Sequence, residues 1–139
     1  MYPIDALKKD KKTPWSGVRN FQARNFMRDE MKVGDLCLFY HSSSKANGVY
    51  GIAKVASKPY PDPSQFDKKS PYFEPKSTKE KPYWWLVDIA FVKKYKQPLP
   101  VEEMRGDPKL TGMVLWHAPR LSIQPVSDAH FNYIQKLAR

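Results

Sequence analysis

The sequence predicts one α+β domain covering residues 1–139, with short strands, short helices and many loops. Thirteen prolines against six glycines are typical of a chain rich in loops and strands, because proline interrupts long helices. Apolar runs of strand length occur at several places, for example at residues 36–40. A hydrophobic fraction of 41% in 139 residues is enough for one domain with its own core.

Short helices are predicted from capping residues and apolar periodicity. Asn20 is a suitable N-cap because its side-chain oxygen can accept a hydrogen bond from a free backbone N–H, and Ser127 has the same role before the last helix. Gly34 is predicted to take a positive φ in the turn after the second helix. The predicted helices lie at about residues 2–9, 21–31, 99–106 and 128–139.

Short strands are predicted between these helices. Residues 36–40 are apolar on both faces, which is typical of a strand covered on both sides. Alternation in residues 83–92 places Trp84 and Asp88 on the more exposed face of their strand. The predicted strands lie at about residues 36–40, 49–55, 83–92 and 120–126.

The longest stretch without periodicity lies at residues 60–82 and is rich in Pro, Ser, Asp and Lys, which favour turns. Its aromatic residues, such as Tyr60 and Phe66, argue against full disorder because they can pack on the body of the domain. A phosphate-facing surface and a solvated loop are both compatible with its lysines.

The charge of the chain favours a polyanionic partner. The formal net charge is +10 and the pI is about 9.7, and basic side chains gain free energy by displacing counterions from phosphates. Aromatic residues make up 14% of the chain, and bases stack on such rings. The alternative is that the charge serves solubility alone.

A single cysteine, with no recognisable secretion signal or membrane-spanning run in the sequence, predicts a soluble intracellular protein. Cys37 is the only cysteine, so the sequence predicts no internal disulfide and no thiolate metal cluster. A cofactor is not implied by any motif in the chain. We find neither a signal-peptide pattern nor an apolar run of membrane-spanning length. We therefore expect a monomer without a membrane partner, located in the cytoplasm, or in the nucleus if the source is eukaryotic.

Polar and aromatic residues concentrate in residues 15–44. Trp15 offers an aromatic plane, and planar hydrogen-bonding side chains follow it, which suits a flat, polar ligand. The strand at residues 36–40 then delivers further polar groups to its far end. The candidates in this segment are Trp15, Arg19, Asn20, Gln22, Arg24, His41, Ser42 and Ser43.

The sequence closely resembles the EVE domain, in blocks that follow the expected order over nearly the whole chain. These blocks are residues 15–42, 48–53, 60–63, 70–72, 83–88 and 120–126. The EVE family belongs to the PUA-like folds and is related to the YTH readers of methylated RNA. The resemblance implies a PUA-like mixed β-barrel, flanked by short α-helices, that binds DNA or RNA with a modified base in a pocket.

One part of the family pattern has no counterpart here. A first strand reading roughly Trp-Leu-Met-Lys-Ser-Glu-Pro should precede the opening helix. It would complete the barrel, and its end would lie beside the pocket. We therefore expect that the chain is truncated or that its start lies downstream of the true one, and that a site built from these residues lacks one wall.

A base-reading mechanism assigns roles to the candidate residues. A flipped or single-stranded base would stack on Trp15, while Asn20 or Ser42 would bond its edge. Arginine side chains would hold phosphates, and a small apolar niche would accept a methyl or hydroxymethyl group on cytosine, or a methyl group on adenine. The remaining candidates are Trp84 and, on the strand at residues 120–126, Arg120, Ser122 and Gln124.

Structural roles are open for several of these residues. Trp15 is also compatible with a core lid, and Arg24 with an internal ion pair. Ser122 and Gln124 are also compatible with satisfying backbone groups. For the whole domain, RNA binding without modification specificity is the alternative within binding proteins.

Catalysis is the less favoured function, and we predict a protein that is not an enzyme. Cys37 and His41 are four residues apart, about 13 Å along a strand, which is too far for a nucleophile and its base. The enzyme alternative is an amidohydrolase acting on acylated nucleosides, as in the ASCH group of PUA-like proteins. No matching set of Lys, hydroxyl and Glu residues is evident in the sequence.

Overall fold

The computed structural model describes residues 2–41 and 47–138, and these residues form an α+β fold with two antiparallel sheets. The main sheet contains β1 (Lys12–Pro14), β2 (Leu36–His41), β3 (Gly48–Val55) and β6 (Asp88–Pro100) in the order β1-β6-β3-β2. The second sheet pairs β4 (Tyr60–Pro61) with β5 (Trp85–Leu86).

The helices are short, as predicted. They are α1 (Ile4–Asp10), α2 (Phe21–Asp29), α3 (Val101–Arg105), α4 (Val114–His117) and α5 (Asp128–Leu137), with 3-10 turns at Pro63–Phe66 and Pro108–Leu110.

The predicted caps and turn are confirmed. The Asn20 side chain accepts a hydrogen bond from the Ala23 N–H at 3.0 Å, and Ser127 caps α5 through the His130 N–H. Gly34 has a φ of 96° in the turn before β2. Local sequence therefore determines where these helices and this turn begin.

Two of the strand predictions are wrong. The strand expected at residues 83–92 is divided at Val87, because residues 85–86 pair with β4 whereas Asp88 and its successors pair with β1 and β3. The strand expected at residues 120–126 is irregular chain, and α4 precedes it. Whether a segment forms a continuous strand depends on the distant segments with which it can pair. Alternation of apolar and polar residues carries no information about those partners.

Solvent exposure also differs from expectation in two of the predicted strands. Trp84 was placed on the more exposed face, but it is buried at 6% exposure because Phe21 stacks on it. Residues 36–40 are not covered on both sides, since β2 is an edge strand and Leu36 is 51% exposed.

The core consists of two clusters on different parts of the main sheet. The first packs α1 and α2 against the sheet, and the second packs α3, α5 and the 3-10 turn at Pro108–Leu110. Completely buried members of the first cluster include Leu7, Ala23 and Met27, and those of the second include Leu110 and Ile134.

The long stretch at residues 60–82 is organised around one buried amide. The Gln65 side chain is fully buried, and its Nε2 donates to the carbonyls of Asp62 and Trp84 at 2.8 and 2.7 Å. Its Oε1 accepts from the Ser77 hydroxyl and from the Tyr83 and Trp84 N–H groups. One side chain thus holds both ends of the loop together.

Within the described residues, no helix combines the length and apolar character needed to cross a bilayer.

Candidate nucleic-acid interface

Five rings form a continuous series from the N-terminal segment to the main sheet, which we call the aromatic row. Trp15 makes edge contacts with Tyr2 and Phe39, at centroid separations of 6.0 and 5.8 Å. Phe39 contacts His41 at 5.4 Å, and His41 stacks on Tyr50 at 4.1 Å. The structure therefore connects Trp15 and His41, two predicted site residues, through a single side chain of β2.

Trp15 is half-buried and packs against the first core cluster. Its backbone N–H donates to the Val87 carbonyl at 3.0 Å, which fixes the residue beside the end of β5. The indole is thus held in place by its neighbours while part of it remains in contact with solvent. Both a packing role and a stacking role are compatible with this position.

The His41 imidazole is bound to the beginning of α1. Its Nε2 accepts a hydrogen bond from the Ile4 N–H at 3.0 Å, so the neutral ring carries its proton on Nδ1. Burial lowers the pKa of His41 by more than the nearby Asp5 carboxylate raises it. The ring at the end of β2 is therefore neutral at pH 7.

Arg19 makes several hydrogen bonds inside the domain. Its guanidinium donates to Asp62 Oδ2 at 3.1 Å, to Ser64 Oγ at 3.0 Å and to the Tyr72 carbonyl at 2.8 Å. The arginine also lies over the rings of Tyr72 and Trp84. These contacts join the loop after Trp15 to the loop at residues 60–82, and they leave few donors of Arg19 for a phosphate.

Asp62 is the buried acceptor at the centre of this junction and is only 1% exposed. Burial alone would raise its pKa, but hydrogen bonds from Ser64, the Gly17 N–H and Arg19 outweigh burial and lower the pKa. The carboxylate is therefore ionised at neutral pH and positions both loops.

A second group of rings and cations surrounds the first turn of α2. Phe21 is 53% exposed and stacks on Trp84 with centroids 4.7 Å apart. The Arg24 guanidinium lies 4.6 Å from the Phe21 ring and donates to the Tyr83 carbonyl at 2.7 Å. Arg24 has no carboxylate partner among the described residues, so the internal ion pair considered for it is not formed.

A cleft of about 250 Å³ separates α2 from the irregular segment at residues 121–125. Gln22, which is exposed, lies on its α2 side, and Leu121 and Ile123 lie on the other side. Its complete lining is Gln22, Asn25, Phe26, Asp29, Glu30, Leu121, Ile123 and Pro125.

The remaining predicted residues fall into distinct environments. Gln124 donates to the carbonyls of Ala118 and Leu121 at 2.8 and 3.0 Å, so its side chain satisfies backbone groups. Arg120 and Ser122 are exposed and make no hydrogen bond or ion pair within the described part of the chain. Ser42 and Ser43 lie outside the described residues.

The sequence interpretation did not identify the side chains that connect the site, above all Asp62, Gln65 and Phe21. Asp62 had a detectable signal, because an Asp followed by Pro63 is typical of a helical N-cap, and the structure confirms this cap. Nothing in the local pattern indicates that Gln65 is buried, since its partners lie up to 19 residues away.

These residues supply the kinds of group that suit a planar, polar ligand with anionic neighbours. They include a half-buried indole, a neutral imidazole, an exposed phenyl ring and exposed or partly exposed arginines. Rings of this kind stack on bases, and guanidinium groups bind phosphates. The fold defines a small α+β domain with two antiparallel sheets as the class of protein to compare.

The EVE domain family model matches residues 1–137, and the chain belongs to this family. Thymocyte nuclear protein 1 from Homo sapiens is 40% identical over 147 residues, covering 98% of this chain. The same protein from Gallus gallus is 42% identical over 134 residues, covering 90% of this chain. The chain spans 64% and 54% of the lengths of these two relatives.

Solved structures share the fold. A hypothetical protein from Leishmania major has a TM-score of 0.93 and 46% identity, with 98% of this chain and 86% of that chain covered. The human THYN1 protein, crystallised in complex with 5-methylcytosine-containing DNA, has a TM-score of 0.91 and 39% identity. That comparison covers 98% of this chain and 85% of the human chain.

Proposed function

We propose that this EVE domain binds nucleic acid and recognises a modified base, with 5-methylcytosine in DNA as the first candidate. The observation that carries the proposal is the similarity, over 98% of the chain, to a human protein crystallised with DNA containing 5-methylcytosine. 5-Hydroxymethylcytosine and N6-methyladenine are the other marks to compare.

The aromatic row supports a base-binding role. Trp15 is the stacking residue in this proposal. His41 lies near it, because the Phe39 ring contacts both side chains. A neutral imidazole can donate through Nδ1 while Nε2 is engaged by α1. Gln22, exposed at the beginning of α2, provides an amide group for a base edge, and Asn20 provides its amide N–H donors because its Oδ1 already caps the helix.

Arg24 and Arg120 are the arginines that we assign to phosphates. Arg120 is exposed. The half-buried Arg24 donates to the neutral oxygens of Asn25 and Tyr83, so its charge has no carboxylate partner in the described residues, unlike that of Arg19. Arg19 is instead assigned a positioning role, because its hydrogen bonds connect the loop after Trp15 to the loop at residues 60–82.

We propose binding without catalysis. Burial raises the pKa of the Cys37 thiol to about 11, which disfavours the thiolate that a nucleophile requires. His41 Nε2, the nitrogen that would act as a base, already accepts the Ile4 N–H. A product assay with acylated nucleosides would contradict this proposal if the chain turned them over.

We further propose that the two sheets belong to one PUA-like barrel and that the protein acts inside the cell, in the nucleus if the source is eukaryotic. The direct passage of the chain from β5 to β6 through Val87 supports the first point. The name of the relatives, thymocyte nuclear protein 1, supports the second.

The decisive experiment is a binding panel with the purified chain. Duplex and single-stranded DNA and RNA of one sequence would be compared, unmodified or carrying 5-methylcytosine, 5-hydroxymethylcytosine or N6-methyladenine, at two salt concentrations. A preference for one mark that persists at the higher salt is expected. Equal, salt-sensitive affinity for every strand would overturn base recognition and leave RNA or DNA binding by charge alone.

A tryptophan substitution tests the stacking role. Trp15→Leu keeps an apolar side chain against the core but removes the indole plane, and should weaken binding by the roughly 1–3 kcal/mol typical of one stacked base. Trp116→Leu is the matched control, because Trp116 is also half-buried but packs on the second core cluster. Equal affinity of both variants, with melting temperatures confirming that they fold, would remove Trp15 from the site.

A further inference from the structure

A groove lies on the other core cluster, between α5 and the turn at Pro108–Leu110, and none of the predicted site residues lines it. Its volume is about 440 Å³. We call it the α5 groove, and it is lined by Lys109, Ala129, His130, Asn132, Tyr133 and Lys136. It thus combines two lysines, a histidine, an amide and a phenol.

The helix geometry explains why these side chains face one groove. Ala129, Asn132, Tyr133 and Lys136 are spaced at i, i+3, i+4 and i+7, so they share one face of α5. The opposite face of the helix carries Ile134, which is completely buried in the second core cluster. The lining face is therefore the solvent side of a firmly packed helix.

The Asp107 carboxylate holds two of the lining residues of the α5 groove, Tyr133 and Lys109, in position. Asp107 accepts a hydrogen bond from the Tyr133 hydroxyl at 2.5 Å and another from the Lys109 backbone N–H at 3.0 Å. The Lys109 ammonium lies 5.3 Å from the centroid of the Tyr133 ring. Asp107 thereby joins the turn to the helix and holds the phenol and the lysine next to each other.

The cations of the α5 groove form no close ion pair with a carboxylate in the described residues, although Asp107 attracts Lys109 electrostatically. The ion pairs within residues 2–41 and 47–138 involve neither Lys109 nor Lys136 nor His130. The nearby acid, Asp107, is already occupied by the Tyr133 hydroxyl and the Lys109 N–H. Two exposed ammonium groups and the Asn132 amide are therefore available to an anion.

We infer that the α5 groove binds the phosphate backbone of the nucleic acid at a position separate from the base-recognition site. This inference rests on the proposed function for its ligand. Lysines provide charge without reading sequence, and an amide can donate to a phosphate oxygen. The groove would thus add affinity without changing which base is preferred.

The test compares two double variants of the complete chain with the same change in net charge. Lys109→Gln with Lys136→Gln removes the cations of the groove. Lys54→Gln with Lys58→Gln is the control, because both lysines are exposed and lie outside the groove. Affinity for duplex DNA with and without 5-methylcytosine would be measured across a series of salt concentrations.

The groove variant should show a shallower salt dependence. The slope of log K against log salt is negative, and loss of two phosphate contacts should make it less steep by about 1.8. This change corresponds to a loss of affinity of as much as about 60-fold at 0.1 M salt. The ratio of affinities for marked and unmarked DNA should stay the same. A slope equal to that of the control variant would overturn the inference.

A second measurement separates this inference from the proposed function. An abasic deoxyribose-phosphate oligomer has a phosphate backbone but no base to recognise. Titrated into isotope-labelled protein, it should shift the amide signals of Lys109, Asn132 and Tyr133 even if no mark preference is found in the panel. If these shifts were absent while modified DNA still bound, phosphate binding in the α5 groove would be contradicted. The proposal of base recognition would not be affected.

Discussion

Arg19 illustrates what a single residue type can and cannot reveal. The sequence interpretation assigned its guanidinium to a flat, polar ligand or to the phosphates of a bound nucleic acid. The partner is internal, because Asp62, 43 residues further along the chain, accepts its hydrogen bond. A cation next to an aromatic residue has the same local pattern whether it binds a phosphate or a buried carboxylate.

The Arg19–Asp62 pair leads to a prediction about stability. Asp62→Asn removes the buried negative charge and leaves the guanidinium, itself mostly buried, without its counter-ion. We expect the free energy of unfolding to fall by about 3 kcal/mol, at the low end for a broken buried pair. Urea denaturation at pH 7 would measure this loss.

Asp29→Asn is the matched control, because Asp29 pairs with Arg28 on the surface. Exposed pairs contribute little, so its unfolding curve should overlay that of the natural chain. If both variants were equally stable, Asp62 would not be the anchor of the two loops.

His41 leads to a prediction about pH. Its folded-state pKa is lowered by burial, so below about pH 6.5 the unfolded chain binds more protons than the folded chain. Stability should therefore be unaffected above that pH and should decrease as the pH falls from about 6.5 towards the folded pKa. The slope cannot exceed about 1.4 kcal/mol per pH unit for one group.

His41→Gln separates this effect from other titrations. Glutamine can accept the Ile4 N–H but does not protonate, so the variant should lose less stability than the natural chain between pH 7.5 and 5.5. Thermal unfolding at several pH values would measure the difference, with the value at pH 7.5 serving as the reference for packing. Parallel pH profiles would contradict the role of His41.

At the scale of elements, β3 shows why the sheet can pack so closely on α1. A Cβ atom added at Gly51 would lie 2.1 Å from the Lys93 carbonyl oxygen and 2.3 Å from Ile4 Cδ1. The register of β3 with β6 also shifts between Val49 and Gly51. The absent side chain therefore permits both the irregular pairing and the contact with α1.

Gly51→Ala should consequently destabilise the domain. The carbonyl belongs to the backbone of β6 and cannot move independently, so we expect a loss of at least about 2 kcal/mol from overpacking. Gly106→Ala is the control, because its added Cβ would lie 3.7 Å from the Glu102 carbonyl oxygen. Thermal unfolding in which the two variants melted together would contradict the close-packing explanation.

The elements also show how much of the fold is encoded locally. The helices were located from residues next to them, such as Asn20 and Ser127, because a cap needs partners only two or three positions away. The division of β5 from β6 depends on pairing with β4 and β1, which lie far away in sequence. Local patterns therefore indicated a strand there but not its division.

At the scale of the whole molecule, composition predicted a polyanionic partner and the family resemblance predicted the region of the site. Trp15 and His41 were candidates, and the structure joins them through Phe39. The burial of Trp84, the anchoring by Gln65 and the groove at α5 were not predictable, since each depends on contacts between segments that meet only in the folded chain.

The raised pKa of Cys37, about 11, has a practical consequence. At pH 7 only about one thiol in ten thousand would be ionised, so this residue reacts slowly with maleimides and similar labels. Because it is the only native cysteine, a second one introduced at exposed Lys69 would accept a fluorophore almost exclusively. A change in emission would then measure the proposed nucleic-acid binding, without removal of any natural residue from the core.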